Sequence, residues 1–359
     1  MIRWRQGVVV AVGHSWAGAQ ELDVDTPEGS VKALAYTELV GAPEPGQRVL
    51  LNTTAHDQGL GTGGYALVIA VPDSLPPDPV DGRPGHLVKA RYTPLQTTVL
   101  GIDEQESPAH PVLADADDLG GMPVVGCDLH SAVPAVLAGI REQRPEARVA
   151  YLMTDGAALP LAFSRSVAGL VAAEWLATTI SVGQAYGGLI EAVSVHSGLL
   201  AARHVARADM VVVAQGPGNL GTGTRWGFSG VALAEAMHAA DVLGGRAVAG
   251  LRLSAADRRE RHYGVSHHSL TTYGRATLVP LDIVVPDLDG DFGDLVRRQV
   301  EVLGTRHRLV EVDVAGLMSA LADSPVALAT MGRGLAVDPT PFLASAAAGR
   351  HAATLLRHR

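Results

Sequence analysis

The chain is poor in cysteine, in lysine and in charge. Its single cysteine, Cys127, excludes an intramolecular disulfide framework and any cysteine-based metal site, and it fits a reducing compartment. Nowhere do eighteen apolar residues run together. The richest stretch, Leu189 to Ala202, carries Glu191 and His196, so no membrane-spanning helix is expected. The opening MIRWRQGVVVAVGHSW has positive charge, but its apolar run VVVAV is short and no small-residue cleavage pattern follows. It reads as a strand and not as a secretory signal. HExxH, G-x-S-x-G, Walker A and EF-hand patterns are all absent, which sets aside several well-marked enzyme classes. Charged residues make up 18% of the chain, below the usual figure of about 25%. Of the 28 basic residues only Lys32 and Lys89 are lysines, and the net charge is −9. Such an acidic balance makes a poor general nucleic-acid binder. The expectation is a soluble cytoplasmic protein.

What is abundant is apolar surface and glycine. At 47% apolar residues the chain has enough to bury, which excludes intrinsic disorder. Its 41 glycines exceed the roughly 25 expected at the average usage of about 7%. From Arg3 to Val71 short β runs alternate with turn residues, among them Val8–Val12, Gln20–Val24, Val31–Tyr36, Arg48–Leu51 and Tyr65–Val71. Five short strands at this spacing predict a small antiparallel β barrel over residues 1–72. Residues 73–85 continue a proline-rich stretch and read as a linker. From 86 to 359 strand and helix alternate. Strands are predicted at His86–Tyr92, Met122–Cys127, Arg148–Met153, Asp209–Gln215, Arg246–Leu253, Thr277–Val285 and His307–Val312. Helices are predicted from Ser131 to Arg144, capped by Ser131, and from Ser229 to Leu243, capped by Ser229. Further helices are expected at Arg165–Ala173, Asp291–Leu303 and Phe342–Leu356. This is the pattern of an α/β fold, a mostly parallel, Rossmann-like open sheet with helices on both faces.

Two segments carry the chemistry. In QGPGNLGTGTRWGFSG, which follows the most apolar strand, Gly216, Gly218 and Gly221 match G-x-G-x-x-G. Glycines there let backbone approach a ligand, while Thr222, Thr224 and Arg225 add hydroxyls and a fixed charge. Pro217 inside the motif and the late helix start argue against a true dinucleotide site. The second segment, DRRERHYGVSHH, brings Arg258, Arg261, His262 and His267 to a predicted strand end, where open α/β sheets place ligands. Arginines grip anions, and a histidine serves as general acid–base. The neighbouring His267 and His268 project about 100° apart on a helix, which disfavours both binding one metal. Asp128 and Asp155 also stand at predicted strand ends and are candidates to orient that histidine or hold a metal. The alternative reading of Asp128-Leu129-His130-Ser131 is a helix-capping segment. Lys89 reads either as an anion-binding lysine or as a solvated edge-strand charge. Cys127 reads as a buried small hydrophobe.

Taken together, MIRWRQGVVVAV, VLLNTTAHDQGLGTGGYALV, GHLVKARYTPLQ, GPGNLGTGTRWGFSG and DRRERHYGVSHHSLT resemble a bacterial family of proteins of unknown function, over nearly the whole chain. The resemblance implies that barrel and α/β part belong to one protein, and it supplies no activity and no site residue. The residues themselves point to a small anionic ligand, phosphate- or carboxylate-bearing, held between Gly216–Gly223 and Arg258–His268. Hydrolysis or group transfer is the reaction class favoured. No cofactor or metal is assigned from the sequence. The alternatives are a noncatalytic sensor or scaffold whose barrel docks a partner, and RNA binding by the barrel. RNA binding is disfavoured by nine acids against four basic residues before Asp81. The Ala- and Leu-rich helix Phe342–Leu356 is left to pack on the domain or on a second copy.

Overall fold

The computed structural model describes residues 1–79 and 82–356; Val80 and Asp81 of the proline-rich segment lie outside the described residues. The chain divides into two compact units, Met1–Val99 with Ala162–Ala168, and Leu100–Leu161 with Gly169–Arg359.

The first unit is built on β1 (Trp4–Trp16), β2 (Ala19–Thr26), β3 (Gly29–Tyr36), β4 (Arg48–Asn52) and β5 (Ala66–Ala70), which close into a barrel in the order β1-β2-β3-β5-β4. All neighbours are antiparallel except β3 and β5, which run parallel. Alternation along β1 puts Val9 inside and leaves Val8 and Val10 exposed, the period of two that a strand with one buried face requires. Val8 pairs with Asp25 on one side and Arg48 on the other, so β1 is the strand that closes the barrel. A Cβ on the adjacent Gly7 would lie 2.5 Å from Val24 Cγ1, so the closure needs glycine there. A short antiparallel hairpin, β6 (Leu87–Lys89) with β7 (Thr97–Val99), completes this unit's strands among the described residues.

The second unit holds an eight-stranded sheet in which every neighbouring pair is parallel. Its strands are β8 (Pro123–Gly126), β9 (Val149–Thr154), β10 (Thr178–Ser181), β11 (Ile190–Glu191), β12 (Met210–Gln215), β13 (Arg246–Gly250), β16 (Asp282–Asp287) and β17 (Arg308–Asp313). The order is β11-β10-β9-β12-β8-β13-β16-β17. A two-stranded ribbon, β14 (Leu253–Ser254) with β15 (Gly264–Val265), follows β13. Six helices matter for the site: α1 (Val133–Gln143), α2 (Val195–His204), α3 (Leu233–Val242), α4 (His267–Thr271), α5 (Gly290–Val300) and α6 (Thr340–Thr354). Strand residues Val124, Leu152, Val211 and Ile283 share one core with Leu199 of α2, Met237 of α3 and Val296 of α5. Their chain neighbours point the opposite way, where α6 covers β8, β13 and β16 and packs on α1. Both faces are thus covered, as an all-parallel sheet requires. No helix is long and apolar enough to cross a membrane among the described residues.

Two caps are not where the sequence pattern placed them. Ser131 and Ser229 each sit in a single 3-10 turn, and the α-helices begin later, at Val133 and Leu233. The Ser131 hydroxyl donates to Thr330 Oγ1, and that of Ser229 donates to Asn219 Oδ1 while accepting the Leu220 amide. Strands β10 and β11 and helix α2 were not expected. TTIS and IE are too short and too polar to show a run, and α2 is marked by Ser194, which caps it reciprocally with Ser197.

Between β8 and β13 the direction of winding reverses. β8 leads through α1 to β9 on one side, and β13 leads on to β16 on the other. Such a switch point opens a crevice at the carboxyl ends of the two strands. Its floor is pinned by Tyr273, a fully buried residue in the single π-helical turn Thr272–Ala276. The Tyr273 hydroxyl lies 3.2 Å from Gly126 O of β8 and 3.0 Å from Gly250 O of β13. Tyr273→Phe leaves both carbonyls without this donor. It should lower stability by about 1–3 kcal/mol, read from the urea midpoint, and an unchanged midpoint would show the bond to be dispensable. The other face gives a sharper expectation. A Cβ on Gly139 of α1 would sit 1.9 Å from Ala346 O of α6, and one on Gly349 would sit 2.0 Å from Val136 O. Gly139→Ala and Gly349→Ala should each destabilise by about 2 kcal/mol or more, seen as a lowered melting temperature. A melting temperature equal to that of the parent protein would refute the close helix crossing.

Candidate functional site

The crevice is a cleft with about 500 Å³ of empty volume, part of it open to solvent. Asp128 comes from the turn after β8, Arg252 from the turn after β13, and Arg333 and Phe342 close the far side. Asp128 and Arg252 form a wall shared by this cleft and a group of aromatic side chains behind it. Arg252 Nη1 donates to His268 Nδ1 over 3.1 Å, and Asp128 Oδ2 lies 3.5 Å from the same nitrogen and 3.9 Å from Arg252 Nη1. The Phe228 ring stacks on His268 with centroids 3.8 Å apart and planes 4° from parallel.

Ser266 organises the histidines. Its hydroxyl accepts the His268 amide, capping α4, and pairs with His262 Nδ1 at 2.8 Å. The β14–β15 ribbon folds the chain back so that His262 meets the start of α4. The result is three imidazoles with centroids 4.9 Å (His262–His267), 5.1 Å (His262–His268) and 4.5 Å (His267–His268) apart. One ring nitrogen from each lies within 4.8 Å of the others. The roughly 100° between neighbouring side chains about a helix axis does not separate His267 from His268. Helical side chains tilt toward the N-terminus, and in the first turn no preceding turn stands in their way. Burial, then the charge of Arg252, pushes the His262 imidazole down to about 3; burial, then His268 and Arg261, pushes His267 down to about 4. Both rings are therefore neutral near pH 7 and offer lone pairs. His267 Nε2 and Asp128 Oδ2 are buried and have no hydrogen-bond partner among the described residues.

The glycine-rich loop reaches the same place. It is closed on itself by the Thr222 amide to Gly227 O (2.8 Å) and anchored by Asn219 Oδ1, which accepts from Gln215 Nε2, Ser229 Oγ and the Gly230 amide. Gln215 Nε2 also donates to Asp128 O, so the loop is tied to the end of β8. Arg261 brings the two chemistry-bearing segments into contact, its Nη2 lying 3.7 Å from where a Gly223 Cβ would stand. Within the loop the glycines differ in what they do. Gly218 and Gly223 take φ of +96° and +79°, the left-handed region that favours glycine. Gly216 is needed for packing, since a Cβ would meet Ala158 O at 2.5 Å, whereas Gly221 stands in open space. The Thr222 and Thr224 hydroxyls bond one another and the Gly227 peptide, so they shape the loop. The amides of Gly218, Gly221 and Gly223 carry no hydrogen bond among the described residues.

Charge balance separates the arginines into two classes. Arg259 grips Asp257 through two bonds of 2.9 and 2.7 Å, holding that carboxyl well below the usual carboxylate range. Arg333 lies 3.4 Å from Asp257 Oδ2 and 3.5 Å from Asp338 Oδ2, and Arg252 faces Asp128. Arg225, Arg258 and Arg261 are exposed and make no ion pair or side-chain hydrogen bond among the described residues. Arg252, Phe228 and Arg333 were not singled out by the sequence. Arg252 was hidden because the strand of β13 was read through to Leu253; ending it at Gly250 would have exposed a strand-end arginine.

The remaining candidates fall elsewhere. Asp155 ends β9, two strands from β8 and so about 10 Å away by inter-strand spacing. Its carboxylate accepts the Gln184 amide at 2.8 Å, which is the role of a turn residue. His130, two residues after Asp128, turns instead to the Tyr151 hydroxyl at 2.9 Å, so the pair does not share a face. Cys127 is buried, and burial pushes its thiol up. Lys89 belongs to the first unit, where it is buried on β6 and not solvated, and the constellation above is built from the second unit alone. No curated protein matches the chain. A family model does match, over residues 32–349, and by that span the chain belongs to the family described as Protein of unknown function (DUF3866).

Proposed function

We propose that the second unit binds a small anionic molecule, carrying phosphate or carboxylate, over the glycine loop at the switch point, and acts on it by hydrolysis or group transfer. One observation carries the reading. In a chain of net charge −9, Arg252, Arg259 and Arg333 face carboxylates, while Arg225 in the loop and Arg261 against Gly223 make no ion pair among the described residues and stand by three amides that carry no hydrogen bond there. Guanidinium groups and unpaired backbone N–H groups are the two donors that oxyanions recognise best. Arg258 and Arg261 are assigned to the anion, with Arg225 at the loop tip and the amides of Gly218, Gly221 and Gly223 completing the cradle. His262 and His267 supply neutral nitrogens next to it, and Asp128 orients His268. The net charge supports a small molecule over a nucleic acid, and the lone buried cysteine supports a cytoplasmic setting.

The test is a thermal-shift panel on chelator-treated protein with inorganic phosphate, nucleotides, sugar phosphates and small carboxylates. A phosphate-bearing ligand at 100 times its Kd should stabilise by about 2.7 kcal/mol, a shift of a few degrees. Arg261→Ala should weaken that ligand about tenfold or more, with Arg258→Ala adding to the loss. Gly218→Val, which strains the loop, should abolish the response, whereas Gly221→Val has room. A protein that no anion stabilises would sink this reading in favour of a noncatalytic scaffold.

A further inference from the structure

We propose that His262, His267 and His268 form a site for one divalent transition ion of the zinc type, with Asp128 as the carboxylate that orients His268. The inference rests on the crevice being the functional site, but not on the anion.

Three observations converge. The three imidazoles each offer one nitrogen within a 4.8 Å sphere of approach. That is wider than the spacing of about 3.4 Å that follows from tetrahedral Zn–N bonds near 2.1 Å, so small side-chain rotations close it. In two of the rings the other nitrogen is already held: His262 Nδ1 by Ser266 Oγ, and His268 Nδ1 by Arg252 with Asp128 Oδ2 beside it. Ligating histidines donate the remote N–H to a hydroxyl or carboxylate and keep the other nitrogen for the ion. His262 is placed for this by Ser266 Oγ, and His268 reaches it when Nδ1 takes the proton and turns from the Arg252 donor to Asp128 Oδ2, 3.5 Å away. The third ring, His267, has Nε2 buried with no partner, a polar atom that a well-packed site would not leave idle. A metal ion there would satisfy it.

The donor set also selects the ion. Three imidazole nitrogens suit zinc, cobalt or nickel and not magnesium or calcium, which take oxygen. Three protein ligands leave a fourth tetrahedral position for water, the arrangement of catalytic and not of structural zinc. Arg252 is the electrostatic objection, being a cation in the same wall. Its contact is with Nδ1 of His268, and Asp128 Oδ2 stands beside both groups, 3.9 Å from Arg252 Nη1 and 3.5 Å from that nitrogen, a buried carboxylate with no hydrogen-bond partner among the described residues that offsets the guanidinium charge.

The experiment uses the full chain, stripped with chelator and dialysed, and no anionic ligand. Calorimetric titration with Zn²⁺ should give one site per chain, and Co²⁺ should develop the visible d–d bands of a four-coordinate, nitrogen-ligated ion. His262→Gln and His267→Gln should each weaken Zn²⁺ by more than 100-fold and remove the Co²⁺ bands, while Asp128→Asn should weaken it by about 10–100-fold. Circular dichroism of the metal-free variants establishes that each is folded, and either histidine variant alone suffices. No stoichiometric Zn²⁺ binding, or binding that survives both histidine substitutions, overturns the proposal. Phosphate stabilisation measured in chelator on the same preparations reads the anion site separately, so each reading fails on its own data.

Discussion

The crevice between β8 and β13 depends on one hydroxyl. Neighbouring parallel strands that send their chains in opposite directions leave carbonyls at their ends with no crossover above them, and here two of those carbonyls, Gly126 O and Gly250 O, face the Tyr273 hydroxyl. The ring is buried and its one O–H is shared between the two carbonyls, so removing it takes a buried donor from the ends of both strands at once. The π turn that carries Tyr273 continues directly from α4. Fixing the tyrosine therefore fixes the first turn of α4, and with it His267 and His268, over the strand ends. An irregular helical turn at this place is what a register adjustment between hydroxyl and imidazoles requires.

Around that anchor the charges divide by burial. Removing an arginine from water is costly unless a carboxylate goes with it, and the interior follows that rule with Asp257 serving Arg259 and Arg333, and Asp128 facing Arg252. The exposed Arg225, Arg258 and Arg261 are free of that demand because water solvates them. Arg225 within the loop and Arg261 against Gly223 stand by unpaired amides, which distinguishes these two from ordinary surface arginines. The same sorting explains why His262 and His267 are neutral, since a protonated ring there would be both desolvated and set among cations.

Much of this was legible in the residues. The valine-rich run of β12 and the short alternating strands of the barrel carry periods that only their folds satisfy, and the two segments that meet at Gly223 and Arg261 were both marked by strand ends. What the sequence concealed was contact over long separations. Phe228 on His268 joins positions forty residues apart, Tyr273 reaches Gly126 across 147 residues, and neither follows from local pattern. The approach of the adjacent histidines to one another was concealed for a different reason. Angular separation about a helix axis holds for the middle of a helix, and α4 is five residues long, so both rings lie in its first turn. Lys89 shows the same limit, since strand alternation gives the side of a strand but not whether that side is covered.

Ser266 links the backbone to the chemistry. One oxygen caps α4 through the His268 amide and holds the His262 ring, so the helix cannot start at this residue without also drawing His262 toward the next two side chains. The cap and the cluster are thus a single structural event. The same short helix runs on without a break into the π turn, so the cap that gathers the imidazoles and the hydroxyl that meets β8 and β13 sit on one continuous segment.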